Sequence, residues 1–153
     1  MKTSIKLRKI SSQADLVDAL AIRIQVFVQE QQVPAAIELD AQDGCARHLL
    51  ARVNGEAAGT ARVVIHNSSA KIGRMAVLKR YRRCGIGGQL LHRAVSYAKR
   101  RGVRSIYLHA QVPVIGFYER QGFIAIGKVF KEAGIPHRKM ILPAGVRRPK
   151  MGG

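Results

Sequence analysis

The chain has 153 residues, 47% of them hydrophobic and 24% charged, with a formal net charge of +18. That size and apolar content suit one domain with a substantial core, and exclude wholesale disorder or two obligate folding units. Residues 1–70 carry a net charge of +1 and residues 71–153 a net of +17, so any anionic ligand or partner is expected on the second half.

In chain order, residues 4–10 alternate basic and apolar residues and predict a first strand. Ser11 and Ser12, with Asp15 three residues after Ser12, mark a helix start. Leu16, Val17, Leu20, Ala21, Ile24 and Phe27 then recur at helical spacing. Residues 31–43, with Pro34 and the acids Glu38, Asp40 and Asp43, predict a long loop or a loop holding a short helix. Residues 48–53 and 60–65 read as strands joined through an Asn54-Gly55 turn. Residues 72–78 are the next strand, and residues 79–88 a basic, glycine-bearing connection.

From Ile86, the positions Leu90, Leu91, Ala94, Val95 and Ala98 give a second helix that ends before Gly102. A strand over 105–110, a short helix over 114–121 stopped by Gly122, and strands over 123–130 and 137–142 complete the pattern. No repeat or linker interrupts it, so residues 1–142 are expected to form one mixed α/β domain. Residues 143–153, with two Pro, three Gly, Arg147, Arg148 and Lys150, read as a flexible basic tail.

Cys45 and Cys84 are too few for a disulfide framework, and no His and Cys stand at metal spacing. The first ten residues lack the apolar run of a signal peptide, and no stretch approaches the roughly 20 apolar residues of a membrane span. A soluble cytoplasmic protein without a metal or a membrane partner is expected.

The sharpest feature is Arg82-Arg83-Cys84-Gly85-Ile86-Gly87-Gly88, between an apolar strand and an amphipathic helix. Glycines let the backbone approach a ligand closely, and the first N–H groups of a helix, with its dipole, favour an anion. A glycine-rich turn alone is a weak signal. The dinucleotide fingerprint fails, because Leu90 stands where its third glycine belongs. A phosphate loop of the Gly-Lys-Ser/Thr kind fails as well, because Gln89 follows Gly88.

Arg82-x-x-Gly85-x-Gly87, after Met75-Ala76-Val77 and about thirty residues before Phe117-Tyr118 and Gly122-Phe123, resembles the signature of the GNAT superfamily of N-acetyltransferases. The likeness runs over residues 5–142. Residues 27–34 (FVQEQQVP), Glu38-Leu39-Asp40 and Gly134-Ile135-Pro136-His137 are similar to the small bacterial ElaA/YjcF-like members.

The resemblance implies an α/β acyl-CoA-binding fold, a mostly antiparallel mixed sheet of about seven strands with about four helices. It implies acetyl transfer from acetyl-CoA directly to an amine, without a covalent enzyme intermediate. Met75, Ala76 and Val77 would offer backbone to the pantetheine arm and the thioester carbonyl. Arg82, Arg83, Cys84, Gly85, Ile86, Gly87 and Gly88 would bind the pyrophosphate, and Gln111 would stand near the cofactor. Tyr118 occupies the position from which a phenol protonates the departing thiolate. Lys79 in place of a frequent Pro, and Arg83 in place of a frequent Gly, add charge.

Neither motif fixes the general base. Glu30, Glu38, Asp40 and His137 are the candidates, because an ammonium must lose a proton before it attacks. His48 and His109 read as packing or hydrogen-bonding residues, and His66 and His92 as surface. Cys84 reads as a small residue at a variable motif position. The acceptor class stays open among small-molecule and protein amines, and so does a homodimer. The rival reading is a nucleic-acid- or ribosome-associated binding protein, which the charge supports and the scarcity of aromatic residues opposes.

Overall fold

The alternation seen in the sequence becomes a sheet covered on both faces. On one strand Leu49, Ala51 and Val53 face one buried core while Leu50 faces another. In the computed structural model, which describes residues 3–9 and 13–144, the elements run β1 (Thr3–Lys9), α1 (Gln13–Arg23), a π-helical turn (Ile24–Glu30), α2 (Ala35–Glu38) and a 3₁₀ turn (Ala41–Gly44). β2 (Arg47–Val53), β3 (Glu56–His66) and β4 (Ser69–Val77) follow, then a 3₁₀ turn (Lys79–Tyr81) and α3 (Ile86–Arg100). β5 (Ser105–Gln111), a 3₁₀ turn (Val112–Val114), α4 (Ile115–Arg120), β6 (Ile124–Glu132) and β7 (Ile135–Ile141) complete the domain.

The seven strands form one sheet in the order β1-β2-β3-β4-β5-β7-β6. Among the described residues, only β4 and β5 pair parallel. This is the mixed, mostly antiparallel sheet that the family resemblance implied. The cap expected at Ser11 and Ser12 and the tail beyond Ala144 lie outside the described residues. No helix among the described residues is long and apolar enough to cross a membrane.

Several boundaries differ from expectation, β3 starting at Glu56 and β7 at Ile135 among them, and two have clear local reasons. Strand β4 starts at Ser69, because Asn67 takes the left-handed conformation (φ 55°) that lets His66 pair with Ser69. The first helix departs from α geometry after Arg23 and finishes with i→i−5 bonding, as in Gln31 N–H to Val26 O at 3.1 Å.

Helix α3 packs Leu90, Leu91, Ala94, Val95 and Ala98 into the larger core, against residues such as Val63, Ile72 and Leu108. Ala19 and Ile22 of α1 cover the other face. Gly59 lets α3 approach closely: a Cβ there would lie 3.0 Å from Leu90 Cδ1 and 3.2 Å from Ala76 O. Gly59→Ala is therefore expected to cost about 1–3 kcal/mol, read as a lower urea midpoint at unchanged slope. An unchanged midpoint would mean that α3 shifts freely.

One departure from regular pairing positions the site. The β4–β5 ladder runs only from Ser69↔Ser105 to Ile72↔Leu108. Beyond it β4 pairs with β3 alone, through a register shift between Thr60 and Arg62, and Arg74 takes φ 49°. Meanwhile β5 continues against β7 as far as Gln111↔His137. The sheet thus forks past Ile72 and Leu108, leaving one edge of each strand without a strand neighbour.

Candidate active site

On one face of the fork, the connection after β4 delivers the glycine loop. Arg83 (φ 65°) and Gly85 (φ 78°) are left-handed, and Gly85 is the N-cap of α3 with no side-chain cap. The first intrahelical bond of this terminus is Gln89 N–H to Gly85 O, so the amides of Ile86, Gly87 and Gly88 precede the ladder. Carboxylates, hydroxyls and carboxamides that usually cap such amides are missing from this N-cap, and the helix dipole adds positive potential. The residues present therefore fit a phosphate-bearing cosubstrate. A Cβ on Gly87 would touch the Phe117 ring at 3.5 Å, which keeps the loop close to α4. Lys79, Arg80, Arg82 and Arg83 are exposed around it, as is Cys84.

Arg82 is folded back across the fork. Its Nε donates to Val77 O at 2.9 Å and its Nη2 to Glu30 Oε2 at 2.8 Å. Glu30 and Gln31 reach this mouth because the π-helical turn ends there. Gln31 and Gln111 exchange side-chain amide hydrogen bonds at 2.9 and 3.4 Å. The structure thus brings Glu30, Val77, Arg82 and Gln111 together at one opening.

Tyr118 packs from α4 against Phe117 (ring centroids 5.0 Å) and Phe123 (6.2 Å). Its hydroxyl donates to Met75 Sδ at 3.8 Å, a weak acceptor. Burial pushes the phenol up to about 12. The result is a protonated donor, aimed at β4 beside the fork, whose partner is easily replaced.

Glu38 is buried and Asp40 partly so, and arginines engage both. They belong to a cluster of three arginines and three carboxylates under the loop over residues 35–44. Arg23 donates to Glu38 Oε2 and to Asp43 Oδ1, each at 2.7 Å. Arg62 reaches Asp40 at 2.7 Å and Asp43 at 3.0 Å, and Arg74 reaches Asp40 at 3.0 Å. Asp40 also caps the 3₁₀ turn in a reciprocal box with Asp43. Arg23 is 0% exposed and Glu38 3%. Burial raises the Glu38 carboxyl despite the guanidiniums against it. Burial alone would raise Asp43 too, but Arg23 and then Arg62 overcome it and pull the carboxyl down to about 2. His48 lies under the same cluster, its Nε2 3.2 Å from Asp43 O, and burial holds it below its ordinary value. Through Arg74 the cluster ties the loop to β4 at its left-handed residue.

His137 is buried on β7 opposite Gln111, on the face of the sheet away from α3. Glu132, which sequence reasoning passed over, and His109, read there as a packing or hydrogen-bonding residue, join it. His109 Nδ1 lies 3.0 Å from Glu132 Oε1, and His137 Nε2 lies 3.7 Å from Glu132 Oε2. Phe130 meets His109 edge-on (4.9 Å) and stacks on His137 (6.0 Å). The signal for Glu132 was its isolation, since Glu119 and Glu132 are the two acids of the basic half. Among the described residues no group of three or more His, Cys, Asp or Glu is arranged to hold a metal.

The comparisons with known proteins agree with this fold. Residues 10–143 match the family model described as an acetyltransferase (GNAT) domain. The chain is similar to the uncharacterized N-acetyltransferase YjcF of Bacillus subtilis (strain 168), with 32% identity over 85% of this chain and 94% of that protein. It is similar to protein ElaA of Escherichia coli (strain K12), with 33% identity over 82% and 86% of the two chains. Among solved structures, an acyl-CoA N-acyltransferase from Pseudomonas aeruginosa superposes with a TM-score of 0.83 at 30% identity, covering 93% of this chain and all of that one.

Proposed function

Because the chain belongs to the GNAT family of acyltransferases, with ElaA and YjcF among its relatives, we propose that it moves an acetyl group from acetyl-CoA directly to an amine. The observation that carries this reading is the uncapped N-terminus of α3, with Gly85, Gly87 and Gly88, opening beside a forked sheet. Acetyl-CoA supplies the activated thioester, and the residues of this chain do the rest. The loop amides and Arg82 hold the pyrophosphate once Arg82 leaves Glu30. The backbone of Met75, Ala76 and Val77 lines the free edge of β4, and the amides there support the carbonyl oxygen as it gains charge. Tyr118 donates its proton to the departing sulfur. Glu30, Glu38, Asp40 and His137 are the base candidates. His137 fits that role best, since Glu38 and Asp40 are held by arginines.

Isothermal titration of the protein with acetyl-CoA tests the cosubstrate. One site at micromolar affinity is expected, weakened about tenfold in Arg82→Ala. No binding at high micromolar cosubstrate would sink the enzyme reading. A panel of amines scored for thiol release then identifies the acceptor.

The charge supports a second, coarser proposal. Arg93, Lys99, Arg100, Arg101 and Arg104 are exposed on and just after α3, and the sequence between Glu56 and Glu119 has no carboxylate. Such a face suits salt-sensitive, sequence-independent retention of nucleic acid.

A further inference from the structure

His137 Nε2 and Glu132 Oε2 approach each other without forming a hydrogen bond. His137 Nδ1 lies 2.6 Å from the carbonyl oxygen of Ile135. A carbonyl only accepts, so this nitrogen bears the proton. In the neutral ring Nε2 is then a lone pair, and it faces Glu132 Oε2 at 3.7 Å. That separation is beyond a hydrogen bond, and two acceptors have no hydrogen to share.

Surrounding groups hold the arrangement in place. His109 Nδ1 fixes the other Glu132 oxygen at 3.0 Å, and Phe130 backs both imidazoles. The two-residue turn Ala133 (φ 52°) and Gly134 (φ 76°) sets Glu132 opposite Ile135. Lys71, across on β4, is the further charge near the carboxylate. The Glu132 side chain is 40% exposed and that of His137 8%, so the gap opens to solvent on the Glu132 side. It also lies at the fork, because His109 is the first β5 residue past the last β4–β5 rung, and Gln111 pairs with His137.

We propose that this gap seats the ammonium of a primary amine, which donates one N–H to His137 Nε2 and another to Glu132 Oε2. A hydroxyl has one hydrogen and no charge and does not satisfy both acceptors, so the seat selects amines over alcohols. Resting on the acetyl-transfer reading, the same contact supplies the base. His137 Nε2 takes one ammonium proton, and Glu132 stabilises the resulting imidazolium. The freed nitrogen lone pair attacks the thioester carbon of acetyl-CoA, C–N forms, C–S breaks, and Tyr118 gives its proton to the thiolate. The attacking nitrogen loses its second proton through water to the Tyr118 phenolate, leaving the neutral amide, and water carries the His137 proton away. Glu132 binds and His137 is catalytic, while His109 is a positioning residue.

The test has two arms on the full-length protein. In the first, the imidazole nitrogens are followed by NMR in histidine-labelled protein, assigned with His137→Gln, while n-butylammonium or 1-butanol is added. Saturable movement of His137 Nε2 with the ammonium alone is expected, with affinity at least tenfold weaker in Glu132→Gln. No movement, or equal movement in Glu132→Gln, overturns the seat. Acetyl-CoA titration of each variant shows that it is folded.

In the second arm, thiol release is measured over an amine panel. Glu132→Gln should raise the amine KM at least tenfold with acetyl-CoA affinity unchanged, and His137→Gln should lower kcat about a hundredfold. Turnover with an unchanged amine KM in Glu132→Gln overturns the seat and leaves acetyl transfer standing. Ammonium binding without turnover of any amine supports the seat and overturns acetyl transfer.

Discussion

Arg23→Met is expected to destabilise the protein by about 3–5 kcal/mol, measured as the urea unfolding free energy. Methionine keeps the length of the arginine stem and lacks only the end of the guanidinium, so the loss comes from the polar contacts together with a small void. Arg23 donates to Glu38 Oε2, to the Glu38 carbonyl and to both oxygens of Asp43. The cluster holds three positive and three negative side chains, and removing one cation leaves a buried carboxylate unbalanced. Arg23→Lys keeps the charge but not the planar fork, and should recover less than half of the loss. An unchanged free energy in Arg23→Met would mean that the pairs contribute no more than surface pairs do.

The same variant carries a pH signature with a definite sign. The Asp43 carboxyl sits at about 2 in the folded protein against 3.8 ordinarily. Its contribution is complete above about pH 4 and is lost as pH falls through about 2, with an amplitude of about 2 kcal/mol. Glu38, raised by burial, acts in the opposite direction and flattens the profile. Arg23→Met should shrink the acid limb that Asp43 provides.

Tyr118→Phe is expected to lower kcat about a hundredfold or more while leaving acetyl-CoA affinity within about twofold. Phenylalanine keeps the ring contacts with Phe117 and Phe123, and the one hydrogen bond lost is the weak one to Met75 Sδ. The fold and the cosubstrate site should therefore survive the change. Because the phenol sits at about 12, it stays protonated throughout the working range and sets no alkaline limb of its own below that value. Unchanged turnover in Tyr118→Phe would remove the residue from the chemistry.

What the sequence revealed of this protein divides by the range of the contacts. Helix α3 was legible because Leu90, Leu91, Ala94, Val95 and Ala98 repeat at 3.6 residues, and its uncapped start because three glycines stand within four positions. Local spacing holds that information. The start of β4 at Ser69 was not legible, since Ser69-Ala70-Lys71 offers one small apolar residue as its signal and is held by pairing with β3 and β5. The π-helical turn was hidden because its apolar residues also fit an ordinary helix.

Glu38 and Asp40 drew attention as acids in an acid-rich loop. Nothing local pointed to Arg23, Arg62 and Arg74, which lie 15 to 36 residues from the acids they bind. His109 and Glu132 meet only because β7 lies between β5 and β6 in the sheet, a consequence of topology that spacing does not encode.

The fork also turns a property of the sequence into one of space. Strands β1–β4 lie on one side of it and β5–β7 on the other, each set contiguous in the chain, with α3 as the bridge. Residues 1–70 are nearly neutral, whereas sixteen basic and two acidic residues fall between positions 71 and 144. Eleven of those basic residues, with no acid among them, fall between positions 71 and 104, so the positive potential centres on the end of β4, the glycine loop and α3, beside the fork. A polyphosphate drifting in from any direction feels a torque before it feels a contact, and arrives already turned, phosphates first.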